Sequence, residues 1–156
     1  MTNQARVVAI HTQQAAGDDP APTQSARVIF AGGLEGDMHG RRSQRALLVV
    51  ATEDLEQFDL APGALREQIT VDLPGLMQLP QGARLRLGGD RGVEIELLED
   101  CAPCTHIGEL HGVTDRVAYE ASLQGHRGKI ARVVSDEAGA EIHVGDAVQV
   151  LEPIRG

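Results

Sequence analysis

Aromatic residues are nearly missing from this sequence: its 156 residues include no Trp, one Tyr and two Phe. Platforms on which the bases of single-stranded nucleic acid could stack are therefore almost absent. The formal net charge of -9 also opposes a phosphate-backbone partner, because affinity for such a partner comes from Lys and Arg. Composition thus predicts no nucleic-acid partner.

Long hydrophobic runs and a cysteine framework are missing as well. No stretch approaches the roughly 18 apolar residues that span a bilayer, and the first residues lack the basic and then apolar pattern of a signal peptide. The two cysteines lie three positions apart, a spacing that gives no disulfide framework. We expect one domain over residues 1–156, in the reducing cytoplasm and without a membrane partner.

The chain instead contains many short apolar or alternating segments, typical of strands. They are residues 6–11, 26–30, 45–51, 68–72, 83–87, 93–97, 129–134, 141–144 and 147–151. The Gly-rich residues 88–92 predict a hairpin, and we expect 129–134 to pair with 141–144. The stretch Ala15 to Ser25, rich in Pro, Gly and Asp, predicts a flexible loop. The fold class is mainly β, a barrel or sandwich with a few short helices.

Two helices are expected, each with a threonine as its N-cap. Thr52 would cap a helix over residues 53–58, and Thr114 would cap one over residues 115–124. In the second helix we expect Val117 and Ala121 to face inward, with Gly125 ending it.

The two cysteines, Cys101 and Cys104, lie among polar residues at the end of an alternating run. A structural thiol is usually buried as a small hydrophobic side chain, so a position among polar residues favours a reactive thiol. The Cys-x-x-Cys spacing allows a redox dithiol. The same two cysteines with His106 and His111 could bind zinc, and two unreactive loop thiols remain a third interpretation.

Two further segments are basic in an otherwise acidic chain. Residues 36–45 hold His39, Arg45 and two other arginines, and residues 124–129 hold His126 and Arg127 between two glycines, followed by Lys129. Arg offers a bidentate fork to phosphate or carboxylate, so both segments predict an anionic ligand. A solvated basic loop and an ordinary helix end are the alternative interpretations.

Together these segments resemble the MOSC family, the domain named from the C-terminal part of molybdenum-cofactor sulfurases. The resemblance runs in order through Gly36-Asp37-Met38-His39, Arg45, Pro62-Gly63, Glu67-Gln68-Ile69-Thr70, Leu85-Arg86-Leu87-Gly88, Pro103-Cys104, Arg127-Gly128, Ala131-Arg132-Val133 and Gly145-Asp146-Ala147-Val148. The chain departs from the family at Gln68, where Asn is usual, at Ala46, where Gln is common, and at Ala102, where a basic residue is usual. Cys101 is an addition.

The resemblance implies a MOSC-type β-barrel with a few short helices that handles the molybdenum cofactor, a molybdopterin. Cys104 would carry sulfur as a persulfide or ligate molybdenum, which makes it both the catalytic residue and the metal ligand. The cofactor-binding residues would be His39, Arg45, Arg127, Lys129 and His106.

The resemblance also leaves the activity and the partners open. Either a sulfurase-type sulfur carrier or a molybdenum-dependent reductase of N-hydroxylated compounds is compatible with it, and both are forms of enzyme activity. Expected partners are the cofactor or a molybdoenzyme, together with a sulfur donor such as a cysteine desulfurase or an electron-transfer protein. A zinc-stabilised, non-enzymatic binding module is the alternative of another class.

Overall fold

The structure is a computed structural model and describes residues 4–42, 45–89, 92–101, 114–135 and 140–151. The strands in these residues are β1 Arg6–Thr12, β2 Ala21–Thr23, β3 Ser25–Arg27, β4 Leu47–Ala51, β5 Ile69–Asp72, β6 Arg84–Leu87, β7 Val93–Asp100, β8 Lys129–Val133, β9 Glu141–His143 and β10 Val148–Leu151. The α-helices are α1 Thr52–Gln57 and α2 Arg116–Ser122, and Leu76–Gln78 forms a 3-10 turn.

One curled eight-stranded sheet dominates the fold, which is mainly β as the sequence predicts. Its strand order is β10-β6-β7-β8-β4-β5-β1-β2, and β3 and β9 form a separate pair. The sheet is a half-barrel. An isolated antiparallel bridge between Arg6 and Ala147 also joins β1 to the residue that precedes β10. Helix α1 follows β4 directly and leads to β5, the parallel neighbour of β4.

Alternating side chains give the sheet one apolar face, which packs on the core. Leu85 and Leu87 on β6 and Ile95 on β7 are fully buried, and each such side chain contributes about 1.5–3 kcal/mol by leaving water. The opposite face of these strands carries cross-strand ion pairs, for example Arg86 to Glu94 at 3.1 Å. Buried and exposed side chains alternate along β6 and β7, as expected for strands with one buried face. The predicted hairpin β6–β7 is confirmed.

A second, smaller core lies under α1. Val50, Leu55, Leu65 and Leu123 are buried together there. Leu123 follows α2, so this cluster fixes the chain just before β8 against α1 and β4. None of the helices in the described residues is long and apolar enough to cross a membrane.

Two strand predictions are wrong. Residues 21–23, inside the predicted loop Ala15 to Ser25, form β2 and pair with β1. Pro22 is tolerated there because β2 is an edge strand and its partnerless side needs no donor. The segment 129–134 does not pair with 141–144: β8 lies between β7 and β4, and β9 pairs with β3.

The helix-cap predictions are also wrong. Thr52 is the first helical residue of α1, and its hydroxyl donates to Asp72 at 3.4 Å. At α2 the capping oxygen belongs to Asp115, which accepts from the backbone N–H of Ala118 at 3.0 Å. Val117, predicted to face inward, is 70% exposed, and Ala121 is exposed as well.

Candidate functional site

A cavity of about 580 Å³ opens beside the start of β4, a size typical of small-molecule sites. Its walls come from stretches of chain that are far apart in sequence. The polar and sulfur-bearing lining residues are Gln13, Asp19, Met38, His39, Arg42, Arg45, Arg66, Gln68, Cys101 and Arg127. We refer to this space as the arginine cavity.

The structure brings three of the predicted cofactor-binding residues together in the arginine cavity: His39, Arg45 and Arg127. Cys104 and His106 lie outside the described residues. Cys101, three positions before Cys104, lines the cavity and donates its backbone N–H to the carbonyl of Gly128 at 2.9 Å. The end of β7 therefore delivers the chain to the cavity directly before the segment that contains Cys104.

Lys129 lies outside the arginine cavity. It lines a second cavity of about 400 Å³, where its ammonium pairs with Asp100 and donates to the carbonyl of Leu79 at 3.0 Å. In a regular strand, residues 127 and 129 would share a face. The positive φ of Gly128 (103°) breaks that alternation, so Arg127 and Lys129 serve different cavities.

Arg127 is the most informative side chain of the arginine cavity. The residue is only 7% exposed, and its buried Nη1 has no hydrogen-bond partner within the described part of the chain. A buried charged nitrogen without a partner is costly. Such an atom therefore indicates that a group from outside, with an acceptor oxygen, completes the site.

The Gly-Asp-x-His segment forms one wall of the cavity, and Asp37 organises it. The fully buried Asp37 carboxylate accepts from the backbone N–H of Gln13 at 2.8 Å and from that of His39 at 3.1 Å. His39 Nδ1 lies 3.5 Å from the same carboxylate but makes no hydrogen bond within the described residues. Asp37 thus fixes the backbone of this wall, and the partly exposed His39 side chain lines the cavity.

Gln68, one of the departures from the family pattern, holds two walls together. Its side-chain oxygen accepts from the Leu48 backbone N–H at 2.7 Å, and its nitrogen donates to Asp37 at 3.3 Å. Sequence reasoning did not assign Asp37 or Gln68 a role in the site. An acidic residue between glycine and histidine, and an amide before a buried strand, were the signals that could have found them.

The Pro-Gly and Glu motifs are structural in this chain. A Cβ on Gly63 would lie 2.7 Å from the ring nitrogen of His11, and Gly63 has a φ of +91°. The fully buried Glu67 accepts from the Leu65 backbone and the Thr70 hydroxyl, at 3.1 and 2.9 Å. Both motifs shape the turn that leads to Gln68 rather than facing the cavity.

The electrostatics of the cavity favour an anion. Four arginines line it, against the single carboxylate of Asp19 among its described lining residues. Arg45 and Arg66 also have left-handed backbones, with φ of 57° and 62°. Such strain in non-glycine residues concentrates at functional sites.

Outside the cavity, Asp54 on α1 accepts a hydrogen bond from Nδ1 of His126 at 2.7 Å. The Asp54 side chain is 6% exposed, and its second oxygen is buried without a hydrogen-bond partner in the described residues. Burial raises the pKa of Asp54 above its ordinary value of 3.8, and the hydrogen bond and charge of His126 oppose that rise. We refer to this pair as the Asp54–His126 clamp.

The raised pKa of Asp54 makes stability depend on pH. A carboxyl with a raised folded-state pKa stabilises the fold below its ordinary pKa, and this contribution is lost as pH rises through the folded value. From pH 3.8 upward, the free energy of unfolding of the wild type should therefore fall relative to that of Asp54→Asn. Urea denaturation of both proteins across that range measures the difference. A difference that stays constant with pH contradicts the prediction.

In the described part of the chain, no group of three or more His, Cys, Asp or Glu side chains is placed to hold a metal ion. Of the predicted zinc ligands, Cys104, His106 and His111 fall in the range 102–113, which is not described.

The chain is thus a mainly β domain with a cavity that four arginines line. The family model of the MOSC domain matches residues 35–149, and the chain belongs to this family. The family is linked to molybdenum-cofactor sulfurase-like function.

Solved structures show the same fold. The YUAD protein from Bacillus subtilis aligns with a TM-score of 0.76 at 17% identity, covering 95% of this chain and 96% of that one. YiiM from Escherichia coli aligns at 0.69 and 16%, covering 99% and 73%. YiiM from Geobacillus stearothermophilus aligns at 0.68 and 15%, covering 95% and 75%. Comparison with curated protein sequences gives no match.

Proposed function

We propose that the arginine cavity binds the molybdenum cofactor and that Cys104 carries sulfur to it as a persulfide or ligates its molybdenum. The observation that carries the proposal is the buried Nη1 of Arg127, unpartnered within the described residues, in a cavity lined by three further arginines. A molybdopterin bears a phosphate, and a phosphate supplies the acceptor oxygens that a guanidinium requires.

The residues present fit such a group. The cavity volume of about 580 Å³ lies within the range of small-molecule and cofactor sites. Arg127 and Arg45 would hold the phosphate, and His39, which also lines the cavity, would add a ring contact. When bound, the cofactor supplies a metal that accepts soft sulfur ligands.

A thiolate is both the nucleophile in sulfur transfer and the soft metal ligand. The position of Cys101 supports a role for Cys104, because the chain leaves β7 at the arginine cavity three residues before Cys104. A sulfur-carrier role needs a sulfur donor such as a cysteine desulfurase and a molybdoenzyme as recipient. We propose the cytoplasm as the compartment.

The test is a titration of the purified chain with molybdenum cofactor released from a donor molybdoenzyme. Wild type should bind it, and Cys104→Ala should bind about tenfold more weakly, since one sulfur contact is lost while the arginines remain. Cys101→Ser should keep its fold, measured by thermal unfolding.

If the wild type does not bind the cofactor and the purified protein contains near-stoichiometric zinc, the proposal is contradicted and a zinc-stabilised module is supported. In that case Cys101→Ser should unfold the domain, because the binding of a structural metal is folding free energy.

A further inference from the structure

We propose that Asp54 is a positioning residue for anion binding: through His126 it holds residues 123–128 so that Arg127 stays turned into the arginine cavity. The proposal rests on the proposed function for the cavity but concerns residues that do not line it. It assigns the Asp54–His126 clamp a task beyond local stability.

Strand pairing places the two halves of the clamp side by side. Helix α1, which carries Asp54, continues directly from β4. Strand β8, which follows His126 and Arg127, is the antiparallel neighbour of β4, with Val49 opposite Lys129. The entry to β8 therefore lies next to the exit of β4, within reach of a side chain on the first turn of α1.

Residues 123–128 are anchored at both ends by the backbone and apolar packing. Leu123 is fully buried in the cluster with Val50, Leu55 and Leu65, and its carbonyl accepts from the His126 N–H at 2.8 Å. Gly128 packs against the backbone of Val49. Between these anchors, the bond from His126 to Asp54 is the one side-chain hydrogen bond that the segment makes to described residues.

The hydrogen bond between His126 and Asp54 matters because of Arg127, the next residue in the chain. A buried guanidinium with an unpartnered nitrogen gains free energy by reaching water, so a loosely held segment would rotate Arg127 outward. The ring of His126 is held on two sides, by Asp54 at 2.7 Å and edge-on by Phe58 at 5.6 Å between ring centroids. The clamp thus keeps Arg127 in its ligand-ready position, and such preorganisation lowers the cost of binding.

The first experiment compares pyrophosphate binding by calorimetry in Asp54→Ala and Asp54→Asn. Asp54→Ala should bind about tenfold more weakly, the change that one charge-assisted hydrogen bond supports. Asp54→Asn should bind like wild type, because its amide oxygen still accepts from Nδ1 of His126. Glu56→Ala, an exposed change on the same helix, is the matched control and should have no effect.

The second experiment needs no ligand binding. Phenylglyoxal labelling of Arg127, followed by mass spectrometry, should be slow in wild type and Asp54→Asn and about tenfold faster in Asp54→Ala, because only a released side chain reaches the reagent. Thermal unfolding of each variant separates this local release from global instability. Should Asp54→Ala fail to fold, the double variant Asp54→Leu with His126→Leu removes the clamp and keeps an apolar contact.

The outcomes separate the two proposals. Unchanged labelling of Arg127 in a folded variant without the clamp overturns the positioning role, whatever pyrophosphate does. Faster labelling, in a protein whose wild type does not bind pyrophosphate, supports the clamp and contradicts the anion cavity.

Discussion

Replacing Arg127 by Met is expected to weaken binding of the molybdenum cofactor about 100-fold, a loss of about 3 kcal/mol. Arg127 is 7% exposed and its Nη1 has no partner among the described residues, so a phosphate at this position would meet a desolvated donor. Removing one member of a buried, hydrogen-bonded charge pair typically costs about 2–5 kcal/mol or more in binding.

The same substitution should leave the fold as stable as before or more stable. Met keeps an unbranched apolar side chain in the place of the Arg stem and carries no charge, and replacing buried ionic groups with apolar side chains is often neutral or stabilising. Lower affinity at an unchanged or higher melting temperature is the signature of a residue kept for binding.

The measurement pairs a cofactor titration with thermal unfolding for wild type and Arg127→Met. Arg86→Met is the matched control. Arg86 lies on β6, forms an ion pair with Glu94 at 3.1 Å and does not line the cavity. Wild-type affinity in Arg127→Met, or a collapse of its melting temperature, would contradict the role assigned to Arg127.

Replacing Gly128 by Ala is expected to lower the free energy of unfolding by about 3 kcal/mol or more. A Cβ at this position would lie 2.6 Å from the carbonyl oxygen of Val49 and 2.8 Å from a methyl of Val50. Both belong to β4, in the middle of the sheet, so neither can move freely. The φ of +103° adds backbone strain for any residue with a side chain.

Gly125→Ala is the control that separates the two causes. Gly125 has a similar positive φ of 81°, but a Cβ added there would meet no heavy atom within 4 Å, so only backbone strain of about 1 kcal/mol should appear. Urea denaturation measures both variants. Equal losses for the two glycines would show that the close approach to β4 contributes nothing.

The parts of the fold that the sequence predicts are local ones. The hairpin β6–β7 follows from two alternating runs joined by a Gly-rich turn. The partners of β8 and β9 could not be predicted in this way, because β4 and β3, which pair with them, lie far away in sequence. The caps at Thr52 and Thr114 were wrong by one residue: Ala51, which makes no side-chain capping bond, is the N-cap of α1, and Asp115 supplies the capping oxygen at α2. Helix boundaries read from sequence are uncertain on this scale.

For the site, the convergence of His39, Arg45 and Arg127 rested on motif resemblance and not on any local pattern. Lys129 was grouped with them, and the structure places it elsewhere because one left-handed residue, Gly128, resets the alternation of side chains. The clamp between Asp54 and His126 joins helix α1 to the turn after α2, far away in sequence, and no motif or periodicity connects them.

The dispersed origin of the cavity walls has a kinetic consequence. Gln13, His39, Gln68, Cys101 and Arg127 come from stretches spread along the chain, and the sheet joins neighbours such as β1 with β5 and β10 with β6. Domains dominated by such non-local pairings fold in roughly milliseconds to seconds. The cavity is complete only when the stretches that flank β1, β4, β5, β7 and β8 have come together, so we expect ligand capture to follow the assembly of these strands. A ligand would then slow unfolding without accelerating folding.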